Sequence, residues 1–232
     1  MPTTMAFAVT LGVMVVWNVR AHMGRGNLLA VTGPLAAGLL LVVGRLAGLS
    51  WEQLGLGVGT MVRGLAWGGA ALAVIAVGYA VGLALPITRR LFLDRRYEQV
   101  GTRSALYLDL LAVPLGTVVF EEVAFRGVLW GLVAHTSGAA WATAVTSVLF
   151  GAWHVLPALD GARANQDAAS PAPRTAMARL VLGTVVFTGL SGVVFGVLRQ
   201  QSESLFAPAL LHWATNGLGV LAAALAWRLR TD

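Results

Sequence analysis

Apolar runs at about 5–19, 28–49, 64–86, 105–133, 138–158, 179–199 and 207–228 take up most of this 232-residue chain. Each approaches the ~20 residues that a helix needs to cross a bilayer. The first is short enough for a signal-type segment. Asn18 and Arg20 follow it without a small-residue cleavage site, however, so it reads as a span. Composition agrees, at 57% hydrophobic and 11% charged, against roughly 45–50% apolar and 25% charged in soluble domains. The expected fold is therefore all-α, a polytopic transmembrane helix bundle of about seven spans with a polar intramembrane cavity.

The formal net charge of +6 comes wholly from arginine, since the sequence contains no lysine. Those arginines lie in loops between apolar spans, which reads as membrane topology rather than nucleic-acid binding. With the N-terminus outside, the inner loops and tail hold Arg20, Arg25, Arg89, Arg90, Arg95, Arg96, Arg103, Arg163, Arg174, Arg179, Arg228 and Arg230. The outer loops hold only Arg45, Arg63 and Arg199. This bias puts the C-terminus in the cytoplasm, and the Ala, Gly, Val, Leu and Arg usage suggests the plasma membrane of a bacterium with a GC-rich genome. Without cysteine there is no disulfide framework, thiolate metal site or thiol nucleophile.

Asp160 to Arg179, with Pro171, Pro173, Asn165, Gln166 and Asp167, reads as an irregular loop. There is no internal repeat, and the loops are too short to fold alone. The chain divides into N-terminal helices over 1–104 and a core over 105–232 that carries the chemistry. His22 and His135 read as interfacial loop residues. Most tryptophans, including Trp17, Trp51, Trp130, Trp141 and Trp227, read as interface anchors near span ends. Asp109 and Pro114 mark a bend or the start of the fourth span.

Within the fourth run, Glu121 and Glu122 lie in the apolar stretch from Val113 to Val133 with Arg126 as the only counter-charge. An ionised group near the bilayer centre costs roughly 2.5–3.5 kcal/mol on insertion scales, so carboxylates there point to a functional site. Helical residues four apart are offset by only ~40°, and those five apart by ~140°. Arg126 therefore pairs with Glu122, in the favourable acid-first orientation. That leaves Glu121 beside a second carboxylate in apolar surroundings, without an obvious cation, as the candidate general base. The bland alternative is a helix-packing salt bridge. It weakens because His154 ends the fifth run, while His212 and Asn216 share one helical face in the seventh.

Glu121-Glu122-x-x-x-Arg126, Phe150-x-x-x-His154 and His212-x-x-x-Asn216, in that order, resemble the motif set of the CAAX prenyl protease and bacteriocin-processing (Abi) family of intramembrane proteases. Phe125-Arg126-Gly127 and Ser204-Leu205-x-x-Pro208-x-x-x-His212 match the family's usual surroundings. The resemblance covers about Leu106 to Leu221. It implies a membrane-embedded endopeptidase in which Glu121 and His154 hold and activate a water. Glu122 and Arg126 would orient Glu121, and His212 and Asn216 would stabilise the oxyanion. The implied partners are membrane lipids and a peptide or membrane-protein substrate, prenylated or not. Metal dependence stays open: Glu121, His154 and His212 could supply a two-His, one-carboxylate set for Zn2+ or another divalent ion, with a position left for water. HExxH is absent.

Simple spans set His154 near the inner end of the fifth and His212 near the outer end of the seventh, an axial mismatch of about 15 Å. The expected repair is that 199–206, with Gln200, Gln201, Ser202, Glu203 and Ser204, dips into a water-filled cavity. Three other readings stay open. Gly189-Leu190-Ser191-Gly192 has the form of an intramembrane serine nucleophile that could pair with His212, although the same glycines read as small-residue helix packing. The buried charges could form a proton or ion path. A catalytically idle scaffold could retain every motif residue.

Overall fold

The computed structural model describes residues 1–23, 28–166 and 173–230, and among these no β-strand occurs. The long helices are α1 (Thr3–Met23), α2 (Leu29–Leu46), α3 (Met61–Ala84), α4 (102–137), α5 (Ala139–Trp153), α6 (Val155–Ala164), α7 (Arg174–Ser202) and α8 (Phe206–Arg228). Among the described residues six segments are long and apolar enough to cross a membrane: α1, α2, α3, the continuous α5 and α6, α7 and α8. Their outward faces are apolar, as with Leu35, Leu39 and Val42 on α2 and Leu182, Val186 and Leu190 on α7. The chain is a multi-pass membrane protein.

α4, the remaining expected span, is not among the six. Glu121, Glu122 and Arg126 interrupt its apolar run, and its backbone is π-wound over Leu108–Ala112, Pro114–Val118 and Val123–Leu129. Pro114, which has no N–H to donate, opens the second of these stretches. Every residue from 120 to 132 is buried, so this part of α4 lies inside the bundle, whereas Leu106, Leu110 and Leu111 nearer its start are exposed.

Around α4, α3 packs along α8 and α5 packs along α7. The second seam is closed by small residues. A Cβ on Gly192 would stand 2.9 Å from Ser147 Cα, and one on Gly196 would stand 2.6 Å from Thr143 Cγ2. These glycines therefore do the packing that their spacing suggested.

Three expectations change. The stretch Asp160 to Arg179 is not one irregular loop, because α6 continues to Ala164 and α7 begins at Arg174. Asp167 and Pro171 of that loop, and Arg25 of the first inner loop, lie outside the described residues. Trp17 and Trp130 are buried packing residues rather than interface anchors: Trp17 lies 4.7 Å from the Phe120 ring, and Trp130 donates its indole N–H to Thr143. Arg199, assigned to an outer loop, is 3% exposed within α7.

The axial mismatch also resolves. Leu205 packs at the level of Gly127, about 16 Å along α4 from the turn at Gly138, taking 1.5 Å per residue. The 199–206 turn is thus recessed, which brings His212 down to Glu122. Within it Gln200, Gln201 and Glu203 are exposed. Ser202 and Ser204 are fully buried beneath the segment 47–57, with Leu205 N–H donating to Gly55 O at 2.8 Å. Arg199 donates to Glu52 O, Gln53 O and Arg126 O and lies over the Trp130 ring. Glu203 turns the chain with φ 55° and forms an ion pair with Arg63.

Replacing Gly192 with Leu forces α5 and α7 apart, because backbone rather than a flexible side chain meets the new Cβ. Thermal unfolding in detergent should show a loss of at least ~2 kcal/mol; an unchanged midpoint would contradict this seam.

Candidate active site

α4 supplies Glu121, Glu122 and Arg126 at its buried middle, the α5–α6 junction supplies Trp153 and His154, and α8 supplies His212 and Asn216. Arg126 is fully buried, and its Nη1 donates to Glu122 Oε1 at 3.2 Å, the i,i+4 pair expected from spacing. Its guanidinium carbon lies 4.1 Å from the Phe150 centroid and 4.6 Å from that of Phe195. Two ring faces thus compensate part of the charge's lost hydration. Nε and Nη2 find no hydrogen-bond acceptor among the described residues.

The same Glu122 oxygen takes a second bond, from His212 Nδ1 at 2.8 Å. A carboxylate can only accept, so His212 carries a proton on Nδ1. His212 Nε2 then faces Glu121 Oε2 at 3.8 Å, too far for a hydrogen bond but spaced so that one water can touch both. The imidazole is stacked on Phe195, with ring centroids 5.3 Å apart.

Glu121 is held from its other oxygen. Trp153 Nε1–H donates to Oε1 at 2.9 Å, while Oε2 has no hydrogen-bond partner among the described residues. His154, at the break between α5 and α6, donates Nδ1–H to Phe150 O at 2.8 Å, which leaves its Nε2 unbonded. Asn216 is exposed on the cavity wall one turn beyond His212, and its amide makes no hydrogen bond among the described residues.

Two cavities meet at this cluster. One, of about 550 Å3, runs from Glu121, Trp153 and His154 to a polar rim of His22, Asp94, Arg96 and Tyr97. The other, of about 560 Å3, is walled by Ala71, Val74, Ile75, Phe187 and Val194 and also reaches His212. His154, Thr188, Thr215 and Asn216 line both. At the rim, His22 bonds Asp160 at 2.6 Å, so it belongs to the cavity mouth rather than to a free loop. Burial would raise the Asp94 carboxyl, but bonds from Arg96 and Asn165 outweigh it and hold the group below the usual carboxylate range.

Among the described residues no three His, Asp or Glu side chains converge as a metal-binding group. No step below is routed through a metal. The Ser191 hydroxyl donates to Phe187 O in its own helix at 2.9 Å, and among the described residues no hydrogen bond joins it to His212.

The family model described as type II CAAX prenyl endopeptidase Rce1-like matches residues 103–218, half of the chain. The chain belongs to the Rce1-like family. No curated protein and no solved structure matches it. The matched stretch contains all three motifs. It leaves α1, α2 and α3 outside, although α1 brings Trp17 and Asn18 to the first cavity of this Rce1-like protein.

Sequence reasoning missed Trp153, Phe195 and the link from His212 to Glu122. Trp153 stands next to His154, but nothing in the spacing of α5 shows which way its indole turns. The partners lie 32 and 90 residues apart, so only packing joins them.

Removing one member of a buried ion pair costs about 3–5 kcal/mol because the other charge is left uncompensated. Arg126→Met should lower stability by that order in detergent unfolding, and Arg126→Met with Glu122→Gln should recover part of it. Equal stability of the single and double variants would count against the pairing.

Proposed function

We propose that this Rce1-like protein is a membrane-embedded endopeptidase that hydrolyses a peptide bond of a membrane-associated substrate with a water activated by Glu121. One observation carries the reading. Glu121 Oε2, without a hydrogen-bond partner among the described residues, faces His212 Nε2 across 3.8 Å at the place where two cavities join.

In this mechanism the water lies against Glu121 Oε2, with His154 Nε2 steadying it from the cavity wall. Glu121 takes one water proton as the oxygen adds to the scissile carbonyl carbon. The charge that develops on the carbonyl oxygen is met by the Asn216 amide and by His212 when both of its ring nitrogens are protonated. The tetrahedral intermediate then collapses, the C–N bond breaks, and Glu121 returns its proton to the leaving nitrogen. Glu122, fixed by Arg126, keeps His212 oriented through Nδ1, much as a carboxylate orients a catalytic imidazole elsewhere.

Arg89, Arg90, Arg95, Arg96 and Arg103 cluster with Arg228 and Arg230 in sequence regions flanking spans. The arginine bias supports an N-terminus outside and a C-terminus in the cytoplasm of a bacterial cell. The rim with Asp94 and Arg96 then opens toward the cytoplasm, and lipid supplies the apolar side.

The test is comparative mapping of protein termini in membranes of a host lacking the gene, complemented with wild type, Glu121→Gln or His154→Ala at matched abundance. Wild type should generate termini that fall by at least about 10²-fold with either variant. Undiminished termini with Glu121→Gln would overturn the proposal.

A further inference from the structure

Trp153 and Pro157 stand four residues apart across the break between α5 and α6. In a continuous helix the N–H of residue 157 would bond the carbonyl of residue 153, but proline has no N–H. A carbonyl orphaned in a membrane interior needs a donor from elsewhere. It gets one from the first helix: Asn18 Nδ2 donates to Trp153 O at 3.0 Å. Asn18 is only 9% exposed, 135 residues away in sequence, and outside the family-matched stretch. A carbonyl cannot donate, so it is the amide nitrogen of Asn18 that faces Trp153.

Neighbouring contacts converge on the same residue. Trp17 packs on Phe120 with ring centroids 4.7 Å apart, Phe120 lies 6.0 Å from Trp153, and Phe125 meets Trp153 edge-on at 5.7 Å. From that fixed ring, Nε1–H donates to Glu121 Oε1 at 2.9 Å. The unbroken path runs from the Asn18 amide to the Trp153 backbone, through its indole, to the carboxylate whose other oxygen faces His212.

We infer that Asn18 is a positioning residue for the hydrolytic site: it pins the carbonyl that Pro157 leaves free, and so holds the Trp153 indole against Glu121 at the cavity junction. This rests on the peptidase reading above. It assigns to α1 a part in the site that the matched family segment does not contain. A misplacement of about 1 Å can cost on the order of 10²-fold in rate, so loosening Trp153 bears directly on Glu121.

The test uses the full-length protein with 15N-labelled indoles in nanodiscs, Trp153 being assigned by its loss in Trp153→Phe. Glu121→Gln should move the Trp153 indole resonance, because the charged acceptor is gone. Asn18→Leu should move it in the same direction while the other tryptophan resonances, Trp17 apart, stay in place. Adding Pro157→Ala to Asn18→Leu should restore it, since residue 157 then supplies an N–H to the Trp153 carbonyl. In the complemented host, Asn18→Leu should lower the yield of Glu121-dependent termini about tenfold at matched folded protein, and Pro157→Ala should recover most of that loss.

A Trp153 resonance unmoved by Asn18→Leu but moved by Glu121→Gln would overturn the inference and leave the peptidase reading intact. If the resonances behave as expected while Glu121→Gln still yields every terminus, the peptidase reading fails and Asn18 remains a structural clamp on Trp153. Global unfolding of Asn18→Leu that Pro157→Ala does not relieve would also overturn it, since the clamp would then have no specific tie to the orphaned carbonyl.

Discussion

Glu122 organises the interior of this molecule. One of its oxygens accepts from Arg126 and from His212, which ties α4 to α8 at the depth where the cavities meet. Three ionisable side chains without water are tolerable only if each supports the others. The geometry does this economically: Arg126 neutralises Glu122, two phenylalanine faces cover the guanidinium, and Glu122 fixes the His212 tautomer. The depth of the 199–206 turn follows from this bond, because α8 must begin low enough to bring His212 to the middle of α4. Arg199 and the segment 47–57 then close over the turn and satisfy its backbone.

What the sequence reveals and what it conceals divide along a physical line. Glu122 and Arg126 are four apart on one helix, so their pairing follows from helical pitch alone. The glycine seam of α7 likewise follows from spacing, since Gly192 and Gly196 must meet whatever packs on that face. The bonds Trp153–Glu121, His212–Glu122 and Asn18–Trp153 depend on how helices from distant parts of the chain settle against each other. No local period encodes them. Pro157 is the exception, a local sign that Trp153 would need a donor from another helix.

Span depth was hidden for a different reason. Counting apolar residues treats every helix as a rod from surface to surface, which suits helices whose faces meet lipid. The middle of α4 is enclosed by protein and wound wide on either side of its glutamates, and α8 starts below the tip of the α4–α5 hairpin. A helix middle shielded from lipid by its neighbours can carry charge that an exposed one cannot. Tryptophans were misread on similar grounds, since Trp17 and Trp130 sit near span ends in sequence but pack inward.

The joining of one apolar and one polar-rimmed cavity at His154 has a thermodynamic consequence for turnover. Under the proposed hydrolysis, a neutral amide becomes a carboxylate and an ammonium group. Each fragment gains a charge at the new end, and the apolar chamber that helped to bind the intact chain becomes a poor host for both ends. The rim of His22, Asp94, Arg96 and Tyr97 offers the wetter way out. The reaction would thus change which side of the site its own ligand prefers, and release would need no moving part beyond the bond that was cut.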